Sequence, residues 1–205
     1  MNNIKAILFD LDGVLVDSNH LHYKSFEEAV LSVSNILIDQ NEHDSLFNGS
    51  TTKQKLIYYV NKGLIKKSDS YDIERIKQEN IVKLIPKYIY PNEQLKKLLV
   101  ELHTIYKFAL VSNSAKETTH LILHTLGIYD LFDIIVCPCE FLSPKPDPAM
   151  YIFATNELSL LSSECLIYED SECGKTAAYK SGCHVIEIKD PEDLIIKLTS
   201  LLISN

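Results

Sequence analysis

The chain has 205 residues, 28 of them acidic and 20 basic for a formal net charge of −8, and 46% of it is hydrophobic. An ordinary apolar fraction with moderate charge excludes collagen, long coiled coil and disorder. The acidic excess argues against nucleic acid or an anionic membrane surface as a partner, because both need surplus Lys and Arg, and no apolar run is long enough to span a bilayer.

The start, Met1-Asn2-Asn3-Ile4-Lys5, lacks the shape of a signal peptide, since its short apolar stretch runs at once into Asp10 and Asp12. Five cysteines at irregular spacing (137, 139, 165, 173 and 183) read as reduced thiols rather than a disulfide framework. The expected setting is cytoplasmic, with no required protein partner. Arg75 is the sole arginine, so anion recognition falls to Lys or to backbone amides.

Ile4–Phe9 (IKAILF) is apolar throughout, neither alternating nor helix-periodic, and reads as a strand buried on both faces. From Ser18 to Tyr90 no strand pattern occurs. Helices are expected near 19–33, 51–62 and 71–84, a shorter one near 41–47, with Asp69 or Ser70 as a cap for the third. Beyond Pro91 strand and helix alternate. The strands are Lys107–Val111, Asp133–Val136, Cys165–Tyr168 and His184–Ile188. The amphipathic stretches are Asn92–Ile105, Ala115–Leu126, Pro148–Leu158, Cys173–Lys180 and Pro191–Ile203. Gly127 and Gly182 read as helix stops. The rhythm predicts an α/β fold, a parallel sheet covered on both faces. Its core takes residues 1–17 and 91–205, and an all-helical insert takes 18–90.

Four segments near expected strand ends carry the chemistry. Asp10 and Asp12 flank Leu11, with Gly13 following where the chain must turn sharply. Two carboxylates so close need a cation or unequal protonation, and a hard cation such as Mg²⁺ suits them. A calcium loop or an acidic turn would give the same pattern. Val111-Ser112-Asn113-Ser114 offers a hydroxyl for a phosphate oxygen, or, alternatively, Ser114 as the N-cap of the next helix. Lys145 stands among Pro144, Pro146 and Pro148, a cation on a stiff loop that is either a ligand group or solvated. Glu169-Asp170, followed by Gly174, suits a metal, or simply the positive end of a helix dipole.

In this order, the four segments resemble the haloacid dehalogenase superfamily of aspartate-nucleophile phosphohydrolases, over essentially the whole chain. The similarity is strongest to its subgroup with a helical cap after the first strand, which includes β-phosphoglucomutase and phosphoglycolate phosphatase. The resemblance implies a Rossmann-like, doubly wound core and a Mg²⁺-dependent phosphatase of a small phosphorylated metabolite. Asp10 would attack phosphorus to give an aspartyl-phosphate, and Asp12 would be the general acid, then the base. Mg²⁺ would lie on Asp10, the backbone carbonyl of Asp12, and Asp170 with or without Glu169. Ser112, Asn113 and Lys145 would hold the phosphoryl group. His22, Gly49 and Thr52 would face the substrate from the cap. β-Phosphoglucomutase carries an Arg where this chain has Thr52, and losing that grip on a second phosphate favours hydrolysis over isomerisation, unless Lys53 or Lys55 substitutes for it. A β-phosphoglucomutase-like isomerase is the alternative. A silent metabolite-binding protein is a third reading. Phosphonate cleavage is a fourth and needs an imine-forming cap lysine, with Lys24 and Lys53 as candidates.

Overall fold

The computed structural model describes residues 3–139 and 141–204. The Met1-Asn2 start, residue 140 and residue 205 of the expected core lie outside the described residues. Five parallel strands, β1 (Ala6–Phe9), β2 (Lys107–Val111), β3 (Ile134–Val136), β4 (Cys165–Glu169) and β5 (His184–Glu187), form one sheet in the order β3-β2-β1-β4-β5. The order reverses between β1 and β4, which pair in parallel with Phe9 opposite Tyr168. In such sheets ligands bind beyond the strand ends at this reversal. Asp10 and Glu169 stand on its two sides.

All of β1 is buried, which explains its unbroken apolar run. Ile7 and Phe9 face the layer of α5 (Glu93–His103), α6 (Lys116–Leu126) and α9 (Pro191–Ile203). Ala6 and Leu8 face α7 (Ala149–Glu157) and α8 (Glu172–Lys180). The core is therefore a doubly wound α/β sheet with helices on both faces.

Four helices lie between β1 and α5: α1 (Asn19–Ser34), α2 (Gln40–Phe47), α3 (Thr52–Asn61) and α4 (Ser70–Tyr88). They close their own apolar core around Phe26, Phe47, Leu56, Tyr59 and Ile73. Leu21, Ile81, Ile85 and Ile89 pack instead into the core of the sheet, which seats both ends of the insert on it. That anchoring lets α4 run past 84 to Tyr88 despite Pro86, whose missing N–H forfeits a helical bond. A capping box starts α3: the Gln54 amide donates to Thr51 Oγ1 (3.2 Å) and the Thr51 amide to Gln54 Oε1 (2.7 Å). Gly127 ends α6 in the left-handed region, φ 68. No described helix is long and apolar enough to cross a membrane.

Candidate active site

Asp10 is the residue after β1 and its amide donates to the Tyr168 carbonyl of β4, so the sheet itself fixes its place. Its side chain meets Lys145 Nζ at 2.7 Å from Oδ1. The same ammonium donates to Glu169 Oε2, also at 2.7 Å. Both ion pairs are buried, and the Tyr151 ring lies 4.9 Å from Lys145 Nζ. Burial would deprotonate a lysine here, but Asp10 and Glu169 outweigh it and hold Lys145 charged. Burial, then Glu169, push Asp10 well above the usual carboxylate range.

Glu169 is saturated. Tyr151 donates to Oε2 at 2.6 Å, while Oε1 accepts the amides of Asp170 and Ser171 and the Ser171 hydroxyl. Burial alone would raise it, yet Lys145 and Tyr151 keep it ionised below its ordinary value. Gly174 makes this possible, because a Cβ there would fall 2.0 Å from the Glu169 carboxyl.

Carboxylate oxygens of Asp10, Glu169 and Asp170 all lie within 4.8 Å of one another, a grouping able to hold a metal. Asp170 Oδ1 is buried without a hydrogen-bond partner, and burial with the nearby Glu169 pushes Asp170 up to about 7. An orphaned buried oxygen beside two more carboxylates is a donor set for a hard cation. Gly13, at φ +88, belongs to the same site: a Cβ would come 2.3 Å from Asp170 Oδ2.

The Asp12 carboxylate does not join this cluster; the metal contact expected of this residue is its backbone carbonyl. Its side chain is held on the far side by the hydroxyls of Ser18 and Ser114 (2.6 Å to Oδ2) and by His22 Nε2 (3.0 Å). Burial acts against its charge, but His22 and the two hydroxyls more than offset it and hold Asp12 ionised. Lys77 Nζ lies 3.3 Å from His22 Nδ1. An ammonium only donates, so Nδ1 accepts, and the ring, kept neutral chiefly by burial, presents Nε2–H to Asp12.

Other expected residues divide. Ser112 lines the cavity, and its Oγ accepts the Ser114 amide, which keeps the hydroxyl proton available to a ligand. Asn113 lines the cavity, but its side chain is engaged elsewhere: Nδ2 donates to the carbonyls of Gly49 and Lys145, and Oδ1 accepts the Lys145 amide, which leaves its backbone N–H for the expected phosphate contact. Both ends of its amide are spent on protein. Ser114 corrects the helix-cap reading, since α6 is preceded by Ala115 with no side-chain cap and the hydroxyl serves Asp12. Gly49, at φ +76, lines the cavity so closely over Ser171 that a Cβ would come 2.4 Å from its Oγ. Thr52 is absent from the described lining, because the capping box at Thr51 turns Lys55 inward instead. Lys24 sits over the Tyr88 ring and Lys53 lines a separate outer groove, so neither faces the reacting centre.

The cavity measures about 260 Å³, below the roughly 300–1,000 Å³ typical of drug-sized ligands. Its floor is Asp10, Ser112 and Lys145, and its roof includes His22, His43 and Lys55. Sequence reasoning missed His43, Lys77 and Ser18. A signal existed for Lys77, which falls four residues after Ile73 and four before Ile81, on the apolar stripe of α4.

The sequence profile of the family described as haloacid dehalogenase-like hydrolase matches residues 7–188. A β-phosphoglucomutase of Bacillus subtilis is 28% identical over 96% of this chain and 91% of that protein. The fructose-1-phosphate phosphatase YqaB of Escherichia coli is 23% identical over 90% of this chain and 96% of its own. Among solved structures, CbbY of Rhodobacter sphaeroides in complex with phosphate superposes with a TM-score of 0.79 at 25% identity, covering 90% of this chain and 85% of that one.

Proposed function

The chain belongs to the haloacid dehalogenase-like hydrolase family, and from that premise we propose that it is a Mg²⁺-dependent phosphatase of a small phosphomonoester, a sugar phosphate or a phosphoglycolate-type compound. The observation that carries this reading is the division of two carboxylates, two residues apart, into unlike surroundings. Asp10 lies in a buried ion cluster with Lys145, and Asp12 among the neutral donors Ser18, Ser114 and His22. Environments that separate two titrating groups mark distinct chemical roles.

In this reading Asp10 is the nucleophile, its attack on phosphorus forming an aspartyl-phosphate as the P–O bond to the alcohol breaks. Lys145 and Ser112 steady the phosphoryl oxygens. Asp12 gives a proton to the departing alcohol and then takes one from the water that hydrolyses the phosphoenzyme, a role worth roughly 10²–10⁴ in rate. The donors around Asp12 favour its ionised form, the form needed in the second step. A dianionic phosphate brought alongside opposes that charge and favours the protonated form for the first. Asp10, Asp170 and the Asp12 carbonyl would hold Mg²⁺, with Glu169 beside them fixing Lys145. Such a cation offsets the repulsion between Asp10 and phosphate and stabilises charge on the transferring group. The helical insert acts as the cap that excludes water. Five thiols outside any disulfide agree with a cytoplasmic setting.

The test is phosphate release across sugar phosphates, phosphoglycolate and nucleotides, with Mg²⁺ and with EDTA. Release is expected only with the metal, and Asp10→Asn should lower it at least ~10⁴-fold while still folding. Appreciable activity in that variant would remove Asp10 as nucleophile. The likeness to the B. subtilis β-phosphoglucomutase supports a second reading, phosphosugar isomerisation. Turnover of β-glucose 1-phosphate that requires a bisphosphate primer would select it.

A further inference from the structure

Two of the five cysteines meet away from the candidate active site. Cys165 opens β4, and Cys183 directly precedes β5. The strands pair in parallel with Leu166 opposite His184, so one step back along both, Cys165 stands opposite Cys183. Both side chains fall on the face of the sheet covered by α7 and α8 and pack in the same apolar core, where their thiols share a hydrogen bond. Neighbouring strands run about 4.8 Å apart, inside the roughly 4.4–6.8 Å between Cα atoms that a disulfide spans. Joining the two sulfurs therefore asks for rotation about side-chain bonds rather than movement of the strands.

The pair is unequal. Cys165 is wholly buried, whereas Cys183 is 9% exposed and follows the turn at Gly182, φ 79. The bond from Cys165, with the Ser162 hydroxyl behind it, outweighs burial and brings the Cys183 thiol down to about 7. The same bond, then burial, keeps Cys165 protonated. The more accessible sulfur is thus the readier nucleophile, with a proton-bearing partner beside it. Cysteines also serve as small apolar filling, but filling needs neither this register nor this polarity. The strand that Cys183 leads into is the weaker one: β5 lies at the edge of the sheet, paired with β4 alone, and all of His184–Glu187 is at least partly exposed.

We propose that Cys165 and Cys183 form a reversible disulfide on exposure to hydrogen peroxide, fastening the edge strand β5 to β4. The Cys183 thiolate attacks one peroxide oxygen, the O–O bond breaks, hydroxide leaves and Cys183 becomes a sulfenic acid. The Cys165 sulfur then attacks the Cys183 sulfur, the S–O bond breaks, and the hydroxyl leaves as water with the Cys165 proton. Two thiols and one peroxide give one disulfide and two waters, and a dithiol reductant reverses the step by exchange. In reducing compartments, transient bonds of this kind are the usual ones. Glu169 stands four residues further along β4, roughly 13 Å away, so the bond forms at the opposite end of the sheet from Asp10 and Lys145. The proposal is independent of the phosphatase reading.

The test treats the reduced protein with one equivalent of hydrogen peroxide, blocks remaining thiols with iodoacetamide and maps the peptides by mass spectrometry. A cross-link between the Cys165 and Cys183 peptides is expected, with two of the five thiols lost and both recovered in dithiothreitol. The exposed Cys139 is the internal reference, and the cross-link should form at least ~10 times faster than Cys139 reacts. The urea midpoint of the oxidised protein should rise by roughly 1 M, the effect of closing a short loop. In Cys165→Ser, Cys183 should stop at the sulfenic acid and be trapped by dimedone. If that variant does not fold, Cys165→Ala replaces it, and the wild-type map decides without either. No cross-link, a different cysteine pair joined first, or an oxidised midpoint no higher than the reduced one overturns the proposal.

Discussion

Lys145 and Lys55 are buried lysines on one cavity, yet Lys145 lies 2.7 Å from each of two carboxylates while Lys55 meets an imidazole at 3.2 Å. The carboxylates hold Lys145 charged, whereas burial brings Lys55 down to about 7. The sheet side pairs its lysine with acids and keeps a surplus of carboxylate, with Asp170 Oδ1 unpartnered, that suits a cation. The insert side brings His22, His43, Lys55 and Lys77 from four helices and pairs its two lysines with rings rather than acids. A floor of that kind preorganises chemistry. A roof of that kind leaves electrostatic work for the ligand to complete.

The sharpest way to break the contrast is Lys145→Ala. It strands Asp10 and Glu169 as buried charges, and a loss of about 3–5 kcal/mol is expected in urea unfolding, with phosphate release abolished. A stability within about 1 kcal/mol of wild type would mean that the floor does not depend on its own cation. Gly13→Ala comes next. Its Cβ, 2.3 Å from Asp170 Oδ2, must displace that carboxylate. Half-maximal activity should then require roughly 10–100 times more Mg²⁺, and an unchanged Mg²⁺ titration would remove Asp170 from the metal site. Tyr151→Phe deletes only the 2.6 Å donor to Glu169 and should cost about 1.5–3 kcal/mol, the value of a bond to a charged group, in the same unfolding assay.

The smallest effect sharpens the roof side. Between pH 7 and 10.5 the unfolded chain binds a proton at Lys55 that the folded chain, with this amine near 7, has given up. Stability from this group therefore rises with pH across that window. Lys55→Met should be more stable than wild type at pH 7, and the gap should narrow by about 1–2 kcal/mol at pH 9. A gap that stays constant, or a variant less stable at pH 7, would show Lys55 to be paired in the folded chain.

The floor was legible in the sequence because strand ends converge by topology. Once β1 and β4 are read as apolar runs buried on both faces, Asp10 and Glu169 must meet at the same edge. The doubly wound sheet was legible for the same reason. The roof was not, because spacing along a helix does not tell which turn meets a cavity assembled from four helices. Thr52 looked right from its place in the loop, but the capping box set the rotation of α3 and brought Lys55 round. The side chains of Ser114 and Asn113 were hard to place for a different cause. Each side chain had two plausible partners, a local backbone group or phosphate for one and a phosphate or protein for the other. Only the fold shows that Asp12 claims the serine and that Gly49 and Lys145 claim the amide.

The Asn113 amide ties the insert to the sheet domain. It joins the Gly49 carbonyl of the insert (2.7 Å) to the Lys145 loop of the sheet domain. Near it, Asn48 reaches Asp170 and Gln54 reaches the Lys145 carbonyl, each at 3.3 Å. A bond of this kind nets about 0.5–1.5 kcal/mol, roughly a two- to twelvefold weighting of one population over another. The three that cross between insert and sheet domain, Asn113 to Gly49, Asn48 to Asp170 and Gln54 to Lys145, together net roughly 1.5–4.5 kcal/mol. If the insert closes as the proposed cap, three bonds of that kind would set an equilibrium that one bound phosphate ester could tip and its departure reset.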